Sequence, residues 1–274
     1  MAHELQYRYS NLVDAKLRAV LVKKDGVIFN NRYQGSPAAG TVQVPVRDTE
    51  VAVGDYNKQN GATKTHGDTS YIPVAVDKDK AVNEIIDGYD AAAVPDNLTA
   101  DRLDSAAYAL AYQMEKDATA VLEAKATVHG TTDALTAETI YGEIVSMRTA
   151  MSKLHIPDDK RRWLLLSPDA YALVLNDKDH FTHATDLGDE VIATGAVGRI
   201  AGFLVFEDAT LSATTEMIAG HPDWCTRVNE WKVPVHLQDL AGSGEYIGAS
   251  AVQGRMVYAH AVTKAKTVLI KKKA

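Results

Sequence analysis

From Leu98 to Ala126, apolar residues recur at steps of three and four, and neither glycine nor proline interrupts them. This spacing is typical of a helix with one buried side. It predicts a helix over residues 98–126, roughly 40 Å long at about 1.5 Å per residue, with Thr99 as its N-cap. A second stripe at helical spacing follows another side and consists of Tyr108, Tyr112, Glu115 and Thr119. The helix should therefore contact its surroundings on two faces.

Between Tyr33 and about Asp79 the pattern changes to alternation. Two runs each place their apolar residues on one face, namely Val42, Val44 and Val46, then Ile72, Val74 and Val76. A polar stretch with an Asn60-Gly61 turn signal separates the runs, which predicts a long β-hairpin with a polar tip. A two-stranded ribbon is marginal alone in water, so its apolar face must be covered. Either its own domain or a neighbouring copy of the chain would provide that cover, and the sequence leaves both open.

The rest of the chain mixes helices and strands without strict alternation, which predicts an α+β fold. Strands are expected over residues 82–86, 163–166, 203–206, 217–219, 224–237 and 253–270. A helix over 136–154 should have Thr136 as its N-cap, and a shorter helix ending near Leu175 should be capped by Ser167. Residues 1–30 have too few apolar side chains for a core and are expected to form an arm. Residues 176–198 are expected to form an exposed loop.

The composition is that of an ordinary soluble globular protein, with 46% hydrophobic and 24% charged residues. The net charge of −7 argues against a dedicated nucleic-acid binder, which usually carries a basic patch. The single cysteine, Cys225, excludes a disulfide within the chain and predicts a buried thiol in a reducing compartment. The N-terminal residues lack the apolar core of a signal peptide, and no run is long and apolar enough to cross a bilayer. We therefore expect synthesis in the cytoplasm and no membrane partner.

Catalytic motifs are not found in the sequence, which contains neither a GxxxxGK[ST] phosphate loop nor a GxSxG nucleophile elbow. The best metal candidates are clustered acids and histidines, namely Asp177, Asp179, His180, His183, Asp186, Asp189 and Glu190. His180 and His183 could share one helical face, but the segment lacks the calcium-loop pattern. A solvated loop is the preferred interpretation. The sequence thus predicts no catalytic, metal or cofactor site.

The order of the segments carries a further signal: a short arm, a hairpin with a polar tip, a long helix and a mixed domain. The stretches in question are GTVQVPVRDTEVAVGDY, VPDNLTADRLDSAAYALAYQMEKDATAVL, LLLSPDAYALVLND, GRIAGFLVFEDATL and GRMVYAHAVTKAKTVLIKKK. In this order the chain resembles the major capsid protein family of tailed bacteriophages over nearly its whole length. The resemblance implies an N-terminal arm (1–32), an extended hairpin loop (33–77), a peripheral domain (78–130 and 236–274) with a spine helix (98–126), and an axial domain (131–235).

The resemblance also implies a structural protein and not an enzyme. Its copies would form hexamers and pentamers that close into an icosahedral shell around double-stranded DNA, without sequence-specific binding. The shell would be the virion capsid, assembled in the host bacterial cytoplasm. Residues 1–30 are too short to serve as an internal scaffold, so a separate scaffolding protein and a portal are implied as partners.

In the family the extended loop lies across the adjacent subunit, which would supply the cover that the hairpin needs. The candidates for contacts between copies are Arg47, Asp48, Glu50, Asp55, Tyr56, Lys58, Lys64, Tyr108 and Tyr112. Some relatives cross-link a loop lysine, but no asparagine partner can be assigned to Lys58 or Lys64, so we do not predict such a link. Two alternatives stay open: an encapsulin-like nanocompartment shell of the same fold, and a metal-dependent enzyme using His180 and His183.

Overall fold

The computed structural model describes residues 16–33, 40–47, 50–62, 69–93, 98–177, 198–242 and 244–274. Its helices are α1 (Gly88–Ala93), α2 (Leu98–Lys125), α3 (Ile140–Lys153) and α4 (Pro168–Asn176). Its strands are β1 (Thr41–Val46), β2 (Ser70–Ala75), β3 (Lys78–Ile86), β4 (Thr127–Val128), β5 (Trp163–Leu166), β6 (Arg199–Ile200), β7 (Phe203–Glu207), β8 (Thr215–Gly220), β9 (Cys225–Asp239), β10 (Ser250–Val262) and β11 (Leu269–Lys272). The mixture of helices and strands confirms the predicted α+β class.

The described strands form three sheets. The hairpin strands β1 and β2 make an antiparallel ribbon, in which Val44 lies opposite Ile72. A three-stranded antiparallel sheet has the order β3-β10-β9, and a six-stranded mixed sheet has the order β4-β11-β8-β5-β7-β6. The body of the chain therefore contains two separate sheets, one of three strands and one of six.

Helix α2 packs against both of these sheets and confirms the predicted long helix. Near its start, Ala106 packs with Ile86 and Val252 of the three-stranded sheet. Near its end, Leu122 is fully buried in a cluster that includes Leu165 of the six-stranded sheet. The helix begins at Leu98, so the prediction of Thr99 as N-cap is wrong, and Thr99 instead lies in the first turn.

The six-stranded sheet is covered on both faces. In β5, Leu164 and Leu166 belong to the cluster formed with α3 and α4, whereas Trp163 and Leu165 belong to the cluster formed with α2. All four β5 residues are buried, as the all-apolar run predicted. Alternation of side chains across the sheet explains why one short strand serves two cores.

The ends of the shorter helices confirm one predicted cap and correct another. The Ser167 side chain accepts a hydrogen bond from the Ala170 N–H, as expected for the cap of α4. Helix α3 begins at Ile140 with Thr139 as its N-cap, so the prediction of Thr136 is wrong. The Thr136 carbonyl instead accepts from the N–H of Ile140 across a preceding turn. Helix α1 lies in a stretch for which the sequence predicted no helix.

The division into a peripheral and an axial domain stays a prediction, and two observations concern its boundaries. The expected boundary at residue 235 falls inside β9, a continuous strand from Cys225 to Asp239. The expected return of residues 236–274, which include β11, to the peripheral domain stays a prediction. This strand pairs with β4 and β8 in the six-stranded sheet and not with the three-stranded sheet.

Candidate interface between copies

The hairpin base, formed by β1 and β2, lies on the chain's own three-stranded sheet. Val44, Val46 and Val74 are buried against Val228 and Ala259 of β9 and β10. Of the two possible covers for the hairpin, the chain's own domain is therefore the correct one at the base. The expectation that a neighbouring copy covers the apolar face is wrong for these residues, because alternating valines find a complementary apolar strip on the same chain.

The distal segment, residues 50–62, has no such cover. Val53 is 98% exposed, and Val51 and Tyr56 are also largely exposed. The segment closes on itself through two backbone hydrogen bonds between Asn57 and Gly61, of 3.1 and 2.7 Å. Gly61 has a φ of +74°, which glycine adopts without strain. The turn at the predicted Asn60-Gly61 signal is thus present, and the residues that precede it expose apolar side chains to solvent.

The charged candidates of the hairpin lie along this exposed part. The Arg47 carbonyl accepts a hydrogen bond from Lys264 Nζ at 3.3 Å, which ties the end of β1 to the body. Glu50, Asp55 and Lys58 are exposed. Asp48 and Lys64 lie outside the described residues. The part of these candidates in contacts between copies stays a prediction.

Tyr108 and Tyr112 lie on the second face of α2, and their rings stack at 5.8 Å between centroids. This face is occupied by residues 16–33 of the same chain, which we call the arm segment. Tyr108 Oη donates to the Ala19 carbonyl at 3.0 Å, and Arg18 lies over the Tyr108 ring. Arg18 also pairs with Asp104 at 2.5 Å. A contact of Tyr108 or Tyr112 with a second copy stays a prediction.

A charged cluster in the interior fixes the arm segment to the body, and sequence reasoning missed it. Lys23 is fully buried and pairs with Glu115 of α2 and with Asp208, which follows β7. Burial raises the pKa of Glu115, although the positive charge of Lys23 opposes the rise. The sequence contained one signal of this cluster: Glu115 is a carboxylate within the second stripe of α2, which was expected to be a contact face.

A second anchor involves Arg227 of β9. Its guanidinium donates to Asp25 at 2.8 Å, to the Lys23 carbonyl at 2.9 Å and to Nε2 of His260 at 2.9 Å. The last bond requires Nε2 of His260 to be an acceptor, so this imidazole is neutral. Burial, followed by the charge of Arg227, lowers the pKa of His260 to about 3. The arm segment is therefore held at two adjoining points.

An open apolar groove of about 270 Å³ lies between α2 and the outer strand β9. Its walls are formed by residues of α2 and β9 and by one residue of β10, namely Ala107, Leu110, Ala111, Met114, Lys232, Val233, Pro234, Val235 and Met256. Leu110 is buried at its floor, while Ala107 is exposed at its rim. The first predicted face of α2 is thus only partly filled by its own chain.

The predicted metal candidates lie mostly outside the described residues, which include only Asp177 of that set. In the part of the chain that the structure describes, no group of three or more His, Cys, Asp or Glu side chains could hold a metal ion. Cys225 is fully buried, as predicted, and burial raises the pKa of its thiol. None of the helices among the described residues has the length and hydropathy that a membrane crossing requires.

Comparison with known proteins gave matches only at the level of structure. No protein-family model matches the chain, and no curated protein does. A chain of Mycobacterium phage Che8 superposes with a TM-score of 0.81 at 18% identity, covering 97% of this chain and 96% of that one. The capsid structure of Cyanophage P-SCSP1u gives a TM-score of 0.80 at 12% identity, covering 98% and 93%.

A third similar structure is the capsid of a native gene transfer agent (GTA) particle, with a TM-score of 0.74 at 12% identity. It covers 98% of this chain and 95% of that chain. Coverage this complete includes the hairpin, the long helix and both larger sheets. The fold expected from the resemblance to tailed-phage major capsid proteins is therefore confirmed.

Proposed function

We propose that this chain is the major capsid protein of a tailed bacteriophage or a related particle. Its copies assemble as hexamers and pentamers into an icosahedral shell that encloses double-stranded DNA. The fold shared with phage and GTA capsid structures supports the proposal. In this role the chain is a structural protein of the virion capsid and not an enzyme.

The single observation that carries the proposal is the contrast between the two halves of the hairpin. Buried valines fix the base on the chain's own sheet, whereas Val51, Val53 and Tyr56 of the distal segment are exposed to solvent. Exposed apolar side chains grouped on a projecting segment are typical of contact surfaces. A firm base with a bare distal segment suits a subunit that reaches across to its neighbour.

The charge distribution fits the same role. Glu50, Asp55 and Lys58 provide both signs on the distal segment, and such patterns fix the register between partners more than they add affinity. Each exposed pair contributes at most about 1 kcal/mol. Repetition around a closed shell multiplies such weak contacts. The net charge of −7 also limits adhesion of the shell to the packaged polyanion.

Further parts of the proposal concern partners and chain divisions. A separate scaffolding protein and a portal would act with the chain during assembly in the host bacterial cytoplasm. The arm (1–32), the extended loop (33–77), the peripheral domain (78–130 and 236–274) and the axial domain (131–235) would be its structural units. Arg47, Asp48, Glu50, Asp55, Tyr56, Lys58, Lys64, Tyr108 and Tyr112 are the proposed residues of contact between copies.

Electron microscopy of two samples tests the proposal: the purified protein, and the native particles extracted from infected or induced cells. We expect closed icosahedral shells, with double-stranded DNA inside the native particles. Shells that hold an enzyme and no DNA would instead identify an encapsulin-like compartment. A monomer at every concentration, without shells, would contradict the proposal.

A further inference from the structure

Lys23 and Asp208 form a buried pair in which a hydrogen bond joins the amine to the carboxyl group. The side chains of Lys23 and Asp208 are 0% and 1% exposed, and Lys23 Nζ donates to Asp208 Oδ2. Glu115, 6% exposed, places its Oε2 3.3 Å from the same Nζ. An amine, a carboxyl group and a second carboxylate thus meet at one point inside the protein.

Both polar and apolar groups surround this trio, and the Thr210 hydroxyl accepts a hydrogen bond from Lys23 Nζ at 2.8 Å. Val22, Ile28 and Phe29 of the arm segment and Ala118 of α2 belong to one buried cluster beside it. Lys23 Nζ donates to Asp208 Oδ2, so a proton can pass from the amine to the carboxyl group within an existing hydrogen bond. Transfer leaves an uncharged amine, which is the nucleophilic form of lysine.

The two oxygens of Asp208 have different environments. Oδ1 accepts hydrogen bonds from the Thr210 N–H at 2.9 Å and from the Thr210 hydroxyl at 2.7 Å. Oδ2 faces the Lys23 amine. Two donors on one oxygen stabilise the negative charge that develops there when the carboxyl carbon is attacked. The other oxygen is free to depart.

We propose that Lys23 and Asp208 become joined by an amide bond within the chain, with Glu115 as the proton acceptor. The neutral Nζ attacks Cγ of the protonated Asp208, and the Nζ–Cγ bond forms. Glu115 takes a proton from the nitrogen and delivers it to Oδ2. The Cγ–Oδ2 bond then breaks and one water molecule leaves. Overall, one ammonium and one carboxylate yield one amide and one water, so no oxidant or co-reactant is needed.

Proximity is the physical reason for expecting this reaction here and not between surface residues. Groups held in contact and in fixed orientation react with effective molarities of about 10⁵ M or more. The link would connect the arm segment to the loop after β7, and it differs in residues and in kind from a link between subunits through Lys58 or Lys64. It does not depend on the proposed function, because the trio lies within one chain.

Mass spectrometry of the intact, denatured protein tests the proposal. We expect the wild-type mass to be lower than the sequence mass by one water molecule. Trypsin should then fail to cut after Lys23 and release residues 19–24 joined to residues 200–227. Fragmentation of this peptide distinguishes the link from a succinimide at Asp87-Gly88, which loses the same water. A wild-type protein at full mass, or a water loss located elsewhere, would overturn the proposal.

Matched variants test the assigned roles. Lys23→Arg keeps a positive charge without the reactive amine, and Glu115→Gln keeps the shape without the proton acceptor, so both should retain the full mass. Lys24→Arg and Glu123→Gln are the controls, since they change the neighbouring lysine and a carboxylate farther along α2, and both should lose water as the wild type does. Circular dichroism confirms that each variant is folded. Complete linking in folded Glu115→Gln would refute the role of Glu115.

Discussion

The hairpin contains one buried valine and one exposed valine, and the same substitution should destabilise the subunit at the first position and not at the second. Val44 in the hairpin base is 1% exposed, whereas Val53 in the distal segment is 98% exposed. Val44→Ala removes two buried carbon groups at about 0.8 kcal/mol each, and the cavity left behind increases the loss to roughly 2–3 kcal/mol. Val53→Ala should change subunit stability by less than about 0.5 kcal/mol.

Urea denaturation of unassembled subunits, monitored by circular dichroism, measures the first effect. At about 2 °C per kcal/mol for a chain of this size, Val44→Ala should also lower Tm by roughly 4 °C or more. Assembly measures the second effect, and here Val53→Asp is the sharper variant. It should leave the subunit stable but reduce the yield of shells in sedimentation and electron microscopy.

Two results would refute this reasoning. If Val53→Ala destabilises the isolated subunit as much as Val44→Ala, the distal segment is covered by its own chain. If Val53→Asp subunits form shells of normal size and yield, the segment is not a contact between copies. The first result would remove the observation on which the proposed function rests, and the second would place the contacts between copies at other residues.

Three further predictions concern the body of the subunit. The pKa of His260 is lowered to about 3, so between pH 6.5 and about 3 the unfolded state binds a proton at this residue and the folded state does not, and the free energy of unfolding falls as the pH falls through this window. Between pH 7 and 5 the wild type should lose about 2 kcal/mol for this reason, and His260→Gln should not show this part of the loss. An unchanged pH profile in the variant would contradict the prediction. Tyr258→Phe removes the donor to Asp117 Oδ2 at 2.8 Å and should cost about 1 kcal/mol in denaturation experiments. Gly88→Ala would place its Cβ 2.0 Å from the Gly248 carbonyl oxygen and should lower Tm, whereas Gly242→Ala, with open space around it, should not; equal Tm values for the two variants would count against the close approach.

The sequence was most informative where a single local rule decides the structure. Uninterrupted three-and-four spacing was sufficient for α2, and the Ser167-Pro168 pair located the start of α4. Alternation located the hairpin strands, and the Asn60-Gly61 signal located the turn region. In each case the decisive residues are neighbours in the chain, so no knowledge of distant partners was needed.

Features set by distant residues were not predicted. Lys23 meets partners 92 and 185 positions away, so nothing in its own segment distinguishes it from a surface lysine. The cover of the hairpin base depends on Val228 and Ala259, which local alternation does not reveal. Helix α1 is only six residues long, too short to show a helical period. The N-cap of α3 could not be located from Thr136 alone, because a residue with a hydroxyl group can begin a turn as well as a helix.

Strand β11 has a consequence for the order of events during synthesis. Residues 269–272 lie between β4 and β8, so β4 reaches the sheet only through a strand that emerges from the ribosome long after it. Contacts between such widely separated segments form late and slow the folding of a domain. The six-stranded sheet of a growing chain therefore stays incomplete until translation has passed residue 272. This delay would keep half-made subunits out of any polymer.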